Sequence, residues 1–137
     1  MTDTDAAERA CARLATACYT LMDLGKYDET AALFTDDATW VRGGKPTVGR
    51  AAIRAALDKR PVDQVSRHVV TNVVVNVLDA DEAEGTAYFM PLRSALNGDG
   101  TAPMPAIQSL GDLSFQFRRE PGGWRIVFLK PGTVFKT

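Results

Sequence analysis

The chain holds one histidine, His68, in the stretch RHVVTN. An imidazole is the side chain best suited to take up a proton near neutral pH, its unperturbed pKa lying at about 6.5. His68 is therefore a candidate general base; the alternative is an ordinary residue at the head of a strand. Other chemistries lack their groups. A single histidine and two cysteines, Cys11 and Cys18, without close Cys/His spacing do not make a zinc site, and no metal is expected. The two cysteines lie about 10 Å apart along one helix, beyond the roughly 7 Å that a disulfide spans, so they are expected as buried thiols. Asp36-Asp37 reads as a turn and a strand entrance. GGKPTVG has glycines but not the spacing or lysine position of a phosphate loop, so no nucleotide or other cofactor is implied.

On strand parity His68 shares a face with Asn72 and Asn76, whereas Val69, Val73, Val75 and Val77 occupy the other. The polar face either lines a wet cavity or meets solvent. Trp40, Phe89, Leu113, Phe115 and Phe117 supply apolar area for a core or for a pocket wall. Leu113, Phe115 and Phe117 alternate with Ser114, Gln116 and Arg118, so one side of their strand is buried.

The elements that must position these residues follow from periodicity. Ala7, Cys11, Leu14, Cys18 and Leu21 recur at helical spacing, predicting a helix over 5–24 that Gly25 stops. A shorter helix runs from Tyr27 to Phe34. DDATWVR leads into a strand ending at Gly43-Gly44, and GRAAIRAALDKRP reads as a third helix closed by Pro61. The period then changes to 2, giving strands near 66–78, 83–94, 107–119 and 123–135, with DADE and EPGG as hairpin turns. The longer link NGDGTAPMP is either a loop at a pocket mouth or a solvated hairpin end. Three helices followed by an antiparallel meander make an α+β fold.

With 137 residues, 45% hydrophobic and 24% charged, the chain fits one domain over 1–137 that buries roughly 68% of its unfolded surface. A formal charge of -1 gives no electrostatic reason to expect nucleic acid or an acidic membrane as partner. Charged residues interrupt the apolar pattern of MTDTDAAERACARLATACYTLMD, so it has neither a secretory h-region nor a span of about 20 apolar residues. A cytoplasmic location is expected.

This order of elements, with the phrases YTLMDLGKYDETAALFTDDATW, VGRAAI, RHVVTN, LDADEAEGTAYF and GGWRI, resembles the nuclear transport factor 2-like superfamily. The resemblance is to its SnoaL-like branch, which includes scytalone dehydratase and hexachlorocyclohexane dehydrochlorinase. It implies a cone in which a curved mixed or antiparallel sheet wraps three N-terminal helices and encloses an apolar pocket. In lyases of this branch an aspartate near the end of the first helix orients a histidine at the start of a long strand. Asp23 and His68 match those two positions. Trp40, Phe89 and Pro91 match pocket positions, and Leu129 stands by simple counting where the dehydrochlorinase has an active-site arginine. Cys18 likewise replaces a lysine, and the second histidine of scytalone dehydratase has no counterpart.

Read by itself, Asp23 lies nearly opposite the Ala7, Leu14, Leu21 stripe on a helical wheel, which predicts surface exposure. Tyr19, one turn earlier, extends an apolar flank toward it, and a carboxylate in the last turn of a helix opposes the helix dipole. The resemblance implies a cofactor-independent lyase or isomerase acting on a small apolar, cyclic substrate. His68 would abstract a proton, Asp23 would orient and charge-balance it, and Tyr19 or Asn72 would hold a polar substituent. Leu113 and Leu129 would belong to the wall. The alternatives are a non-catalytic ligand-binding or scaffolding module, and a polyketide cyclase or ketosteroid-type isomerase with the carboxylate as base. A homodimer or homotrimer is implied as well.

Overall fold

The computed structural model describes residues 2–137. Helix α1 (Asp3–Asp23) opens with a capping box, in which the Thr2 hydroxyl accepts from the Asp5 amide and the Asp5 carboxylate accepts from the Thr2 amide. It stops at Gly25, whose φ of 74° lets the Gly25 and Lys26 amides fold back onto the carbonyls of Met22 and Leu21. Helix α2 (Tyr27–Ala32) follows, two residues shorter than its pattern predicts because Phe34 already belongs to strand β1 (Phe34–Arg42).

The prediction that the first strand simply ends at Gly43-Gly44 is incomplete. Both glycines have positive φ, 56° and 76°, the geometry of a two-residue hairpin turn. The chain doubles back as β2 (Lys45–Val48), pairing Trp40 with Thr47 and Arg42 with Lys45. Helix α3 (Arg50–Leu57) then packs against α2 and β1. Strands β3 (Gln64–Val77), β4 (Glu82–Ala95), β5 (Ser109–Glu120) and β6 (Gly123–Lys136) form the expected meander. The sheet order is β2-β1-β6-β5-β4-β3, antiparallel throughout except between β1 and β6, and it stays open. The 97–106 link is a solvated connection outside the cavity wall, with Met104 almost fully exposed.

One core fills the concave face. Cys11, Ala15 and Cys18 of α1 are wholly buried, together with Leu113, Phe115, Phe117, Ile126 and Leu129 from β5 and β6. Small side chains on the helix let it approach the sheet closely, so the buried stripe runs through Ala15, Tyr19 and Met22 rather than through Leu14 and Leu21. That rotation carries the Tyr19–Asp23 flank toward the sheet. Both thiols are buried and burial pushes them up, Cys11 to about 12. No described helix is long and apolar enough to cross a membrane.

Strand β3 carries a bulge. Between the pairs Thr71↔Tyr88 and Val74↔Thr86, Asn72 and Val73 stand together opposite Ala87, and Asn72 takes φ 54°. The bulge inverts parity. Ser66, His68 and Val70 face inward before it, and Val73, Val75 and Val77 face inward after it. Both faces proposed from the sequence are therefore partly inside, each over half the strand.

Candidate functional site

Beyond the pair Phe89↔Gly111, β4 leaves β5 while remaining paired to β3 as far as Ala95. Pro91 falls where the sheet splays, a place where its missing N–H costs little. The opening leads to a cavity of about 910 Å³ bounded by the end of α1, the β1–β2 hairpin, the α3–β3 connection and the first half of β3. Tyr19, Trp40, Phe89 and Pro91 line it.

Asp23 and His68 meet on its wall. Asp23 Oδ1 accepts hydrogen bonds from His68 Nδ1 and from the Ser66 hydroxyl, each at 2.7 Å, and Oδ2 accepts from the His68 amide at 2.7 Å. The two side chains are only 4% and 8% exposed. The surface placement suggested by the helical wheel is thus corrected: the rotation of α1 turns Asp23 inward. Burial by itself would raise the Asp23 carboxyl. The hydrogen bonds from His68 and Ser66, the attraction of the imidazole and the His68 amide together outweigh it and hold the group below the usual carboxylate range. An ionised carboxylate only accepts, so Nδ1 carries a proton, and in the neutral imidazole the lone pair then falls on Nε2. Nε2 makes no hydrogen bond among the described residues.

Two further groups complete this arrangement, and neither stood out in the sequence. Arg60 Nη2 donates to Ser66 Oγ at 2.7 Å, and Arg60 Nη1 donates to the Met22 carbonyl at 3.0 Å. The arginine adds a second donor to a terminal carbonyl of α1 and offsets the negative end of the helix dipole where Asp23 sits. The only signal available was the arginine before Pro61, which reads equally well as a solvated residue.

The aromatic ring of Tyr19 lies 4.9 Å from the His68 imidazole, and Phe89 stacks on the same imidazole at 6.4 Å with 8° between planes. Trp40 meets Tyr19 edge-on at 6.1 Å and stacks on Phe34 at 5.3 Å. The Tyr19 hydroxyl and Trp40 Nε1 are buried without a hydrogen-bond partner among the described residues. Burial, with the neighbouring Cys18 and Asp23 adding to it, raises the Tyr19 phenol well above its ordinary value, so it stays a neutral donor.

Three expected wall residues lie elsewhere. Asn72 is exposed and outside the lining because it sits in the bulge of β3. Leu113 and Leu129 are wholly buried in the core cluster and do not reach the cavity. They share an inward parity with cavity residues, but position along the strand relative to α1 decides which inward residues meet empty space. Among the described residues no group of three His, Cys, Asp or Glu side chains is close enough to hold a metal ion.

The sequence matches the SnoaL-like domain family over residues 4–130, and the chain belongs to that family. Among solved structures it is similar to a nuclear transport factor 2-like protein with a cystatin-like fold from Novosphingobium aromaticivorans, at 23% identity and TM-score 0.76 over 94% of this chain and 82% of that one. A provisionally assigned scytalone dehydratase from the same organism matches at 22% identity and TM-score 0.81 over 100% of this chain and 91% of that one. A hexachlorocyclohexane dehydrochlorinase from Novosphingobium barchaimii matches at 20% identity and TM-score 0.80 over 98% and 91%. At such identities the likeness is one of fold. No curated protein matches the sequence.

Proposed function

We propose that this SnoaL-like domain is a cofactor-independent lyase or isomerase in which His68 Nε2 takes a proton from a carbon of a small, mainly apolar, cyclic substrate. The electron pair left on that carbon forms a double bond to its neighbour. Either a leaving group departs from that neighbour with its bonding pair, or a double bond already on that neighbour opens toward its far atom and the proton is returned at another carbon. Asp23 holds the required tautomer and balances the imidazolium. Tyr19, a neutral donor with no partner among the described residues, would hydrogen-bond an oxygen on which charge develops.

The observation that carries this reading is the buried Asp23–His68 hydrogen bond on a cavity wall. It also favours His68 over Asp23 as the base. Both carboxylate oxygens already accept hydrogen bonds, whereas Nε2 is uncommitted. Fold neighbours named for dehydration and dehydrochlorination are in keeping with the reaction class.

A substrate-independent trial uses 5-nitrobenzisoxazole, a flat bicyclic probe whose ring opens when a base removes its carbon-bound proton, releasing a coloured phenolate. The protein should accelerate this opening, and His68→Ala should lower the rate by about a hundredfold or more while the melting temperature holds. Equal rates for the two proteins would reject the mechanism and leave a non-catalytic binding module.

A further inference from the structure

We infer that the ligand of this cavity carries a carboxylate, received by the guanidinium of Arg42 at a cationic rim. The inference deepens the proposed function and rests on it for the word substrate. The binding site itself stands on separate observations.

Five cationic side chains line the cavity: Arg42, Lys45, Lys59, Arg60 and Arg93. Among the described residues Asp23 is the only carboxylate in the lining, and its oxygens are taken up by Ser66 and His68. The chain as a whole has a formal charge of -1, so the positive excess is local to this opening. Outside the cavity Arg50, Arg54, Arg118 and Arg119 each pair with a carboxylate, while Arg9, Arg13, Arg67 and Arg125 have none among the described residues and do not line it. Arg42, Arg60 and Arg93 have no carboxylate partner among the described residues.

Exposed lysines at a rim are ordinary solvated charges, and Arg93 is exposed too. Arg42 is different. It is half-buried, it stacks over the Trp40 ring at 5.0 Å, and none of its N–H groups has a protein acceptor among the described residues. Stacking on an aromatic face fixes the plane of a guanidinium without using its donors, which remain as a fork matched to a carboxylate. Burial first, and then the charge of Arg60, pull Arg42 below the usual arginine range. Two neighbouring cations without a counter-ion are an electrostatic cost that a bound anion removes. Arg60 already donates to Met22 and Ser66, so it contributes field and Arg42 contributes the direct contact.

The spacing relates this point to the base. Arg42 stacks on Trp40, Trp40 meets Tyr19 at 6.1 Å, and Tyr19 meets His68 at 4.9 Å. These contacts set Arg42 and His68 at the two ends of one aromatic wall, so a ring system with its carboxylate at Arg42 would lie along that wall toward His68. Its apolar body meets Trp40, Tyr19 and Phe89, and its charge meets the mouth.

The test is calorimetric titration of the full chain with 2-naphthoate and with 2-naphthamide, which share the ring system and differ in charge. At low salt the carboxylate should bind at least tenfold more tightly, and the advantage should shrink as salt rises. Arg42→Met should abolish the advantage while leaving the affinity for the amide unchanged, and Arg42→Lys should keep part of it. Equal affinities in the wild type, no binding of the carboxylate, or an advantage that survives Arg42→Met would each overturn the inference. His68→Ala should retain the preference. Loss of ring-opening activity with the preference intact separates failure of one idea from failure of the other.

Discussion

Nδ1 of His68 lies 2.7 Å from Oδ1 of Asp23 although 45 positions separate the two residues in the chain. The same aspartate binds the backbone amide of His68 through Oδ2, so it fixes both the ring and the strand that carries it. A hydrogen bond to the ring alone would leave the strand free to slide; the second bond locks the register of β3 against the end of α1.

Asp23→Asn keeps the shape of this contact and removes its charge. Turnover of 5-nitrobenzisoxazole should fall about 10²–10⁴-fold, the range general-base catalysis supplies, since an amide no longer enforces the Nδ1–H tautomer or balances an imidazolium. A variant that keeps wild-type turnover would remove Asp23 from the mechanism.

Acid should reveal the same group in stability. The Asp23 carboxyl is held low in the folded state, so its contribution is complete above the unfolded carboxylate value of about 3.9 and is lost as pH falls from there through the lower folded value. Asp5, Asp37 and Asp99 are also held low, but they are exposed and unchanged between the two proteins. Urea unfolding at pH 6 and pH 3 should show the wild type losing more stability than Asp23→Asn over that interval. Identical losses would mean that the aspartate is not strongly bonded in solution.

Ser66 and Arg60 act through Asp23 and are positioning residues. Ser66→Ala removes one hydrogen bond to a charged group, worth about 1.5–3 kcal/mol, and should lower kcat about tenfold or more with little change in KM. A chain with one histidine has one imidazole Nδ1–H resonance, which makes the effect directly visible by proton NMR. The signal should move in Ser66→Ala, and Ser66→Thr should restore it. An unmoved signal would assign Ser66 a purely structural part.

Tyr19→Phe deletes a buried hydroxyl that has no partner among the described residues. Leaving such a group unsatisfied costs about 1–3 kcal/mol, so the variant should be as stable as the wild type or more so. Ring opening should nonetheless slow, because the departing phenolate loses a donor. A drop in stability with unchanged turnover would contradict both halves of the assignment.

Asn72 tests the bulge. Its φ of 54° is tolerated by Asn and Gly but is a strained setting for a β-branched residue. Asn72→Val should cost about 1–3 kcal/mol in chemical denaturation, whereas Asn72→Gly should be near neutral. If Val is accepted without loss, the bulge does not persist in solution.

Much of the fold was legible because it rests on local periodicity. The α1 pattern, the stop at Gly25 and the four long strands follow from where apolar residues recur and where glycines interrupt them. The short β2 strand was not legible. Four residues carry too little pattern, and only the positive φ of both Gly43 and Gly44 reveals the return. The family resemblance linked Asp23 to His68, while the helical wheel argued against it. Nothing local marked Arg60 or Ser66, since an arginine before a proline and a serine in a strand look the same whether they hold a carboxylate or meet water.

The sequence by itself determined the kinds of element, their order, and the presence of one imidazole and a carboxylate suited to proton transfer. Tertiary structure decided which way those side chains point. The small residues Cys11, Ala15 and Cys18 let α1 rotate against the sheet until Asp23 turned inward, and a single extra residue in β3 placed His68 and Val75 on the same side. Periodicity states which residues share a face within one element, but the orientation of that face is set by packing between elements far apart in the chain.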